Sequence, residues 1–140
     1  MKKTILFILF LTITNSHAQQ NIFGVPQNSA TTQSKMDIAK KYTDQAYIAY
    51  ADGNIEKSKY FIDQSQKDGF KSGDFYYLLG AYMYRTNELK AAKRYWNIAY
   101  KEGGCWECKE YLEKLKNKEP LENILLANAK NYVEKLNAKN

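Results

Sequence analysis

The stretch YYLLGAYMYRTNELKAAKRYWNIAYKEGG, Tyr76 to Gly104, holds two apolar stripes separated by a polar break. Tyr76, Leu79, Gly80 and Met83 recur at steps of three and four, the spacing that puts side chains on one face of an α-helix. Leu89, Ala92, Trp96 and Ala99 repeat that spacing on a second helix. Asn87 is placed to cap the second helix, and Gly103 and Gly104 end it. A connection this short folds the two helices back on each other. Small residues (Gly80, Ala92) beside a bulky one (Trp96) suit two backbones that approach closely while a large side chain interlocks.

The pattern extends outward. Moved by 34 residues the chain overlays itself: Tyr42 meets Tyr76, Ala46 meets Gly80, Tyr50 meets Tyr84, Gly53 meets Asn87, Ile55 meets Leu89, Ser58 meets Ala92 and Gly69 meets Gly103. Upstream, a helix-start box at Ser34 and Asp37 predicts a first helix that carries Ile38, Ala39, Tyr42, Ala46 and Ala49 and stops at Gly53. Asn54 then caps a second helix, with Ile55, Phe61 and Ile62 inward, ended by Gly69. Downstream, a fifth helix begins near Cys105 and carries Tyr111, Leu112 and Leu115. Pro120 suits the first turn of a sixth, whose stripe is Leu121, Ile124, Leu125, Ala129, Tyr132 and Leu136. This last unit matches better at a shift of 32, with Met83 on Leu115 and Leu89 on Leu121. No stretch alternates as a strand would. The expected fold class is all-α, a short solenoid of helical hairpins with two repeats and a degenerate third, capping pair over residues 34–137.

In Tyr76–Gly104 the chain resembles the tetratricopeptide-repeat family. Tyr76, Leu79 and Gly80 match the aromatic, leucine and glycine of that family's first helix. Ala92, Trp96 and Ala99 match the small, aromatic and small positions of its second. AYKEGGCWECKEYL is similar to the related Sel1-type repeat. The resemblance implies a concave groove, lined by the first helix of each pair, that holds a peptide or a partner's helix. Carried over by position, the groove would include Thr43, Tyr47 and Tyr50 from unit one, and Asp74, Tyr77, Ala81, Tyr84 and Arg85 from unit two. Unit three would add Trp106, Lys109 and Glu113. Tyrosine gives contact area and a polar tip at low entropy cost. The expected binding residues are therefore Tyr47, Tyr50, Tyr77, Tyr84, Arg85 and Trp106. Tyr42, Tyr60, Tyr76, Tyr95 and Tyr111 read as core or core edge.

The N-terminus carries the three-part layout of a secretory signal: Lys2 and Lys3, the apolar run Ile5–Ile13, then Ser16 and Ala18 before a cleavage point. Residues 1–18 are expected to be removed, 19–33 to form a flexible leader and 138–140 a disordered tail. No cysteine marks a lipid attachment point at that boundary, and no later run is long enough to span a bilayer. The expected location is the periplasm or the medium. Formal net charge is +6, and loss of Lys2 and Lys3 takes the bases from 21 to 19 against 15 acids. The charges are interleaved, as on a solvated helix face, and nucleic acid is not an expected partner. The only histidine, His17, lies in the signal. Histidine-dependent hydrolase triads and two-histidine metal sites are excluded from the remainder, and no phosphate-binding glycine loop is present.

Cys105 and Cys108 flank Trp106 and Glu107. In an exported chain they read first as a structural disulfide or an idle pair. A redox role is permitted by a position in a helix first turn, although the strand–helix setting of the familiar redox motif is missing. Haem or zinc would lack further ligands. No cofactor or metal is expected. The functional expectation is a non-enzymatic module that binds a protein or peptide in a tyrosine-rich groove. The alternatives are a self-assembling envelope protein, joined as a homodimer through the last helix, and a thiol–disulfide oxidoreductase using Cys105 and Cys108.

Overall fold

The computed structural model describes residues 27–67 and 71–139, with side chains of the first helix from Thr32 onward. Among the described residues the fold is all-α, as expected, with six helices and no strand. They are α1 (Gln27–Ala51), α2 (Ile55–Lys67), α3 (Gly73–Arg85), α4 (Leu89–Gly103), α5 (Glu107–Lys116) and α6 (Glu122–Asn137). No helix there is long and apolar enough to cross a membrane. The expected signal, the start of the leader and Gly69 lie outside the described residues.

One turn, used three times, builds the fold. Gly53, Asn87 and Lys118 take left-handed backbone, with φ of 77°, 64° and 59°. After α1, the Gly53 N–H donates to Tyr50 C=O and the Asn54 N–H to Ala49 C=O. Asn87 bonds in the same way to Tyr84 and Glu88 to Met83, and Lys118 to Leu115 and Glu119 to Lys114. This is the Schellman closure, in which a left-handed residue lets two N–H groups reach back to the last free carbonyls. Glycine adopts that backbone without strain and asparagine tolerates it. Asn87 therefore ends α3 and does not cap α4; Glu88 precedes α4 without a side-chain cap bond. Asn54 does cap α2, accepting from the Lys57 N–H at 3.0 Å, and Ser72 caps α3, accepting from the Phe75 N–H.

Two boundaries differ from expectation. α1 starts at Gln27, so the leader's second half is helical and Ser34 and Asp37 lie inside the helix. Residues 27–33 contain no glycine or proline to stop a helix that starts after Pro26. At the other end, Ala138 and Lys139 still donate to Glu134 and Leu136 carbonyls, so the expected tail is still bonded to α6 through Lys139.

The helices pack as α1 on α2 and α3 on α4, with α5 on α4. Some positions 34 apart share burial or close contact, through different partners. Ile62 and Trp96, one shift apart, are both buried to within 1 % exposure. Ala46 and Gly80 each give their helix a close contact: the Ser58 hydroxyl donates to Ala46 C=O at 3.0 Å, and Trp96 lies against Gly80. The Trp96 Nε1–H donates to Tyr77 C=O at 3.2 Å. Gly73 and Gly103 bring α3 and α4 together so closely that a Cβ on either would fall under 3.0 Å from the other's backbone. Of the tyrosines read as core or edge, Tyr111 is buried and Tyr42, Tyr76 and Tyr95 are half-buried, whereas Tyr60 is exposed.

The last helix departs from nearest-neighbour stacking. α6 packs on α1, the first helix of the fold, and has little backbone contact with α5. Leu121, Leu125 and Ala129, of the stripe expected to cap the fold or, in the alternative, to meet a second copy, are buried within the chain itself.

Candidate functional site

The expected groove residues lie on parallel helices: α1 contributes Tyr47 and Tyr50, α3 contributes Tyr77 and Tyr84. Cross-links set their register, with the Tyr47 hydroxyl donating to Asp74 C=O at 3.0 Å and the Tyr50 hydroxyl to Ala81 C=O at a long 3.5 Å. α6 lies across this surface. Its Leu121 N–H donates to the Tyr84 hydroxyl at 3.1 Å, and Asn128 donates to the Tyr111 hydroxyl. The Tyr132 ring stacks on Tyr47 with centroids 3.9 Å apart, and its hydroxyl donates to the Asp44 carboxylate at 2.6 Å.

The groove is therefore not an open tyrosine face. Thr43, Tyr47, Tyr50, Tyr77 and Ala81 are buried, and Tyr84 is half-buried. Each tyrosine is a large, mostly apolar ring whose burial is favourable once its hydroxyl is placed, and α6 supplies the cover. Arg85 is exposed beside Tyr50 at the end of α3. Trp106 is 77 % exposed and packs edge-to-face on Tyr100 of α4, outside this surface. The structure sets Trp106 apart from the expected tyrosines and keeps Arg85, exposed, beside Tyr50 at their edge.

What stays open is one end of the covered surface. A cleft of about 370 Å³ is lined by Tyr47, Asp74, Tyr77, Glu107, Tyr111 and Cys105, with Asn128, Asn131, Tyr132 and Lys135 of α6 on the other side. Gly73, Gly103 and Gly104 complete it; Gly104, with φ of 69°, turns the chain from α4 toward Cys105. Tyr47 and Tyr77 stack at 6.1 Å, and Tyr77 meets Tyr111 at 5.9 Å. The Tyr77 hydroxyl is buried beside Tyr111 and Asn128 but makes no hydrogen bond of ordinary geometry. Burial raises the hydroxyls of Tyr47, Tyr77 and Tyr132 well above the usual phenol range, and neighbouring tyrosines or the Asp44 carboxylate add to the rise. Tyr50 is pushed up to about 12 by burial, which outweighs the opposing pull of Arg85. Partial burial also raises the Asp74 carboxyl, against the pull of Lys40.

Cys105 and Cys108 form the disulfide, with Cα atoms 5.4 Å apart. Cys108 is fully buried and Cys105 half-buried on the cleft. So short a loop removes little chain entropy, and the bond chiefly fixes the start of α5 against the end of α4.

The α6 residues of the cleft were not foreseen. Their signal was present, since Asn128, Asn131, Tyr132 and Lys135 follow helical spacing, but only Tyr132 belongs to the stronger apolar stripe. No family model matches this chain, and neither the curated proteins nor the solved structures include a significant match.

Proposed function

We propose that this chain is an exported, non-enzymatic binding module of the tetratricopeptide type, and that its site is the cleft between α6 and the two hairpins. The cleft carries the reading. It combines tyrosine walls with charged groups that form no ion pair, at a volume within the roughly 300–1,000 Å³ range of small-molecule and cofactor sites. Asp74 and Glu107 are open to solvent and form no ion pair, and the Tyr77 hydroxyl, beside Tyr111 and Asn128, makes no hydrogen bond of ordinary geometry. Groups of this kind are costly to desolvate unless something pairs with them.

A segment held here is short, because α6 covers the rest of the tyrosine surface. The export reading is supported by the signal layout and by the disulfide, a bond that persists in oxidising compartments. Selection of random displayed peptides on the purified protein tests the proposal, with the selected peptides mapped by amide hydrogen exchange. Protection at Gly103–Cys105 and Asn131–Lys135 supports it. Selection of none, or protection only at other surfaces, removes it.

A further inference from the structure

The cleft has two chemically different walls. α3 and α5 present two carboxylates, Asp74 and Glu107, and Tyr77, nine-tenths buried with its hydroxyl out of reach of water, lines the cleft with them. α6 presents Asn131 and Lys135. None of Asp74, Glu107 and Lys135 belongs to an ion pair. We propose that the cleft takes a small zwitterion, a free amino acid or a dipeptide. Its ammonium group lies against Asp74, Glu107 and Tyr77, and its carboxylate against Lys135 and Asn131. The inference rests on the cleft being the binding site and adds the chemistry of the ligand.

Elimination narrows the class. An anion would meet two carboxylates. An uncharged apolar ligand would cover those exposed carboxylates and leave them desolvated and unpaired. A simple cation would face Lys135 without compensation. An ammonium group is held by charge-assisted hydrogen bonds and by the faces of tyrosine rings, both stronger where water is excluded. A carboxylate a few bonds away then satisfies the α6 wall. Such a ligand bridges the hairpins to α6, which also makes it a stabiliser of the docked helix.

The test is a titration of the purified protein followed by the amide resonances of Gly103, Gly104, Asn131 and Lys135. Four probes are used: alanine, alanyl-alanine, N-acetyl-alanyl-alanine and alanyl-alanine amide. Saturable shifts are expected with alanine or alanyl-alanine, and the stronger of the two identifies the source. Acetylation or amidation each weakens binding by about tenfold or more, the scale of one lost charge-assisted contact. Asp74→Asn weakens the dipeptide and its amide alike. Lys135→Gln weakens the dipeptide and leaves the amide unchanged, a split that a general loss of structure cannot produce. If the blocked peptides shift these resonances as well as the free one, the zwitterion is wrong and the cleft reading stands. If the probes leave the cleft unmoved while displayed peptides still map to it, only this inference is lost. If neither reaches the cleft, both are lost.

Discussion

A Cβ on Gly80 would lie 2.5 Å from Cδ1 and Nε1 of Trp96. The indole has nowhere to retreat, being fully buried and tied by its Nε1–H to Tyr77 C=O. One shift earlier the same position is Ala46, and the counterpart of Trp96 is Ile62. A methyl group is tolerated there, where the counterpart side chain is smaller. Gly80→Ala is therefore expected to cost roughly 1–3 kcal/mol, the usual price of overpacking a filled core. A urea titration checks it through a lower midpoint at unchanged slope. The cost must also couple to Trp96: in the Trp96→Ile background the Gly80→Ala penalty should shrink, as contacting residues in a double-mutant cycle do. Equal penalties in both backgrounds would show that the glycine is needed for some other reason.

At the scale of the element, α6 converts a tyrosine face into core. If α6 is integral to the fold, Leu125→Ala, at a fully buried position, should lower global stability by about 2–5 kcal/mol. If α6 were a loosely docked lid, the urea midpoint would hold and only α6 amides would exchange faster. The same element marks where sequence reasoning stops. The hairpin pairs were legible because helical periodicity and the 34-residue shift are local, so Gly80, Ala92 and Trp96 could be placed inward from spacing alone. The stripe Leu121–Leu136 says that α6 has a face to bury but does not say against what. Its decisive contact, Tyr132 with Asp44, spans 88 residues. A groove tyrosine and a core tyrosine share one amphipathic side chain, so Tyr47, Tyr50 and Tyr77 could not be assigned before their cover was known. Asn87 is ambiguous for a related reason: an asparagine after a helix serves a left-handed closure as readily as a cap.

At the scale of the whole molecule, the packing of α6 on α1 joins the ends of the fold and leaves a run of tyrosines as its shared interior: Tyr47, Tyr50, Tyr77, Tyr111 and Tyr132. That predicts an alkaline limit. Burial raises all five hydroxyls above the ordinary tyrosine value of about 10, with Tyr50 reaching about 12. A folded-state value above the unfolded one favours folding fully below pH 10, and the contribution is lost as pH rises toward the folded value. Five such groups on one surface lose it together, since ionising one floods the space under α6 with charge that its neighbours cannot solvate. Phenolate absorbance from these residues should appear between pH 10 and about 12, in step with the loss of helical circular dichroism. The transition should be steep, because unfolding releases several protons at once. Tyr50→Phe and Tyr132→Phe should move it to higher pH, each by removing one proton from the count, even though Tyr132→Phe gives up its hydrogen bond to Asp44 at neutral pH. Gradual ionisation of these tyrosines with helicity intact would mean that water already reaches them, and that α6 does not close the fold.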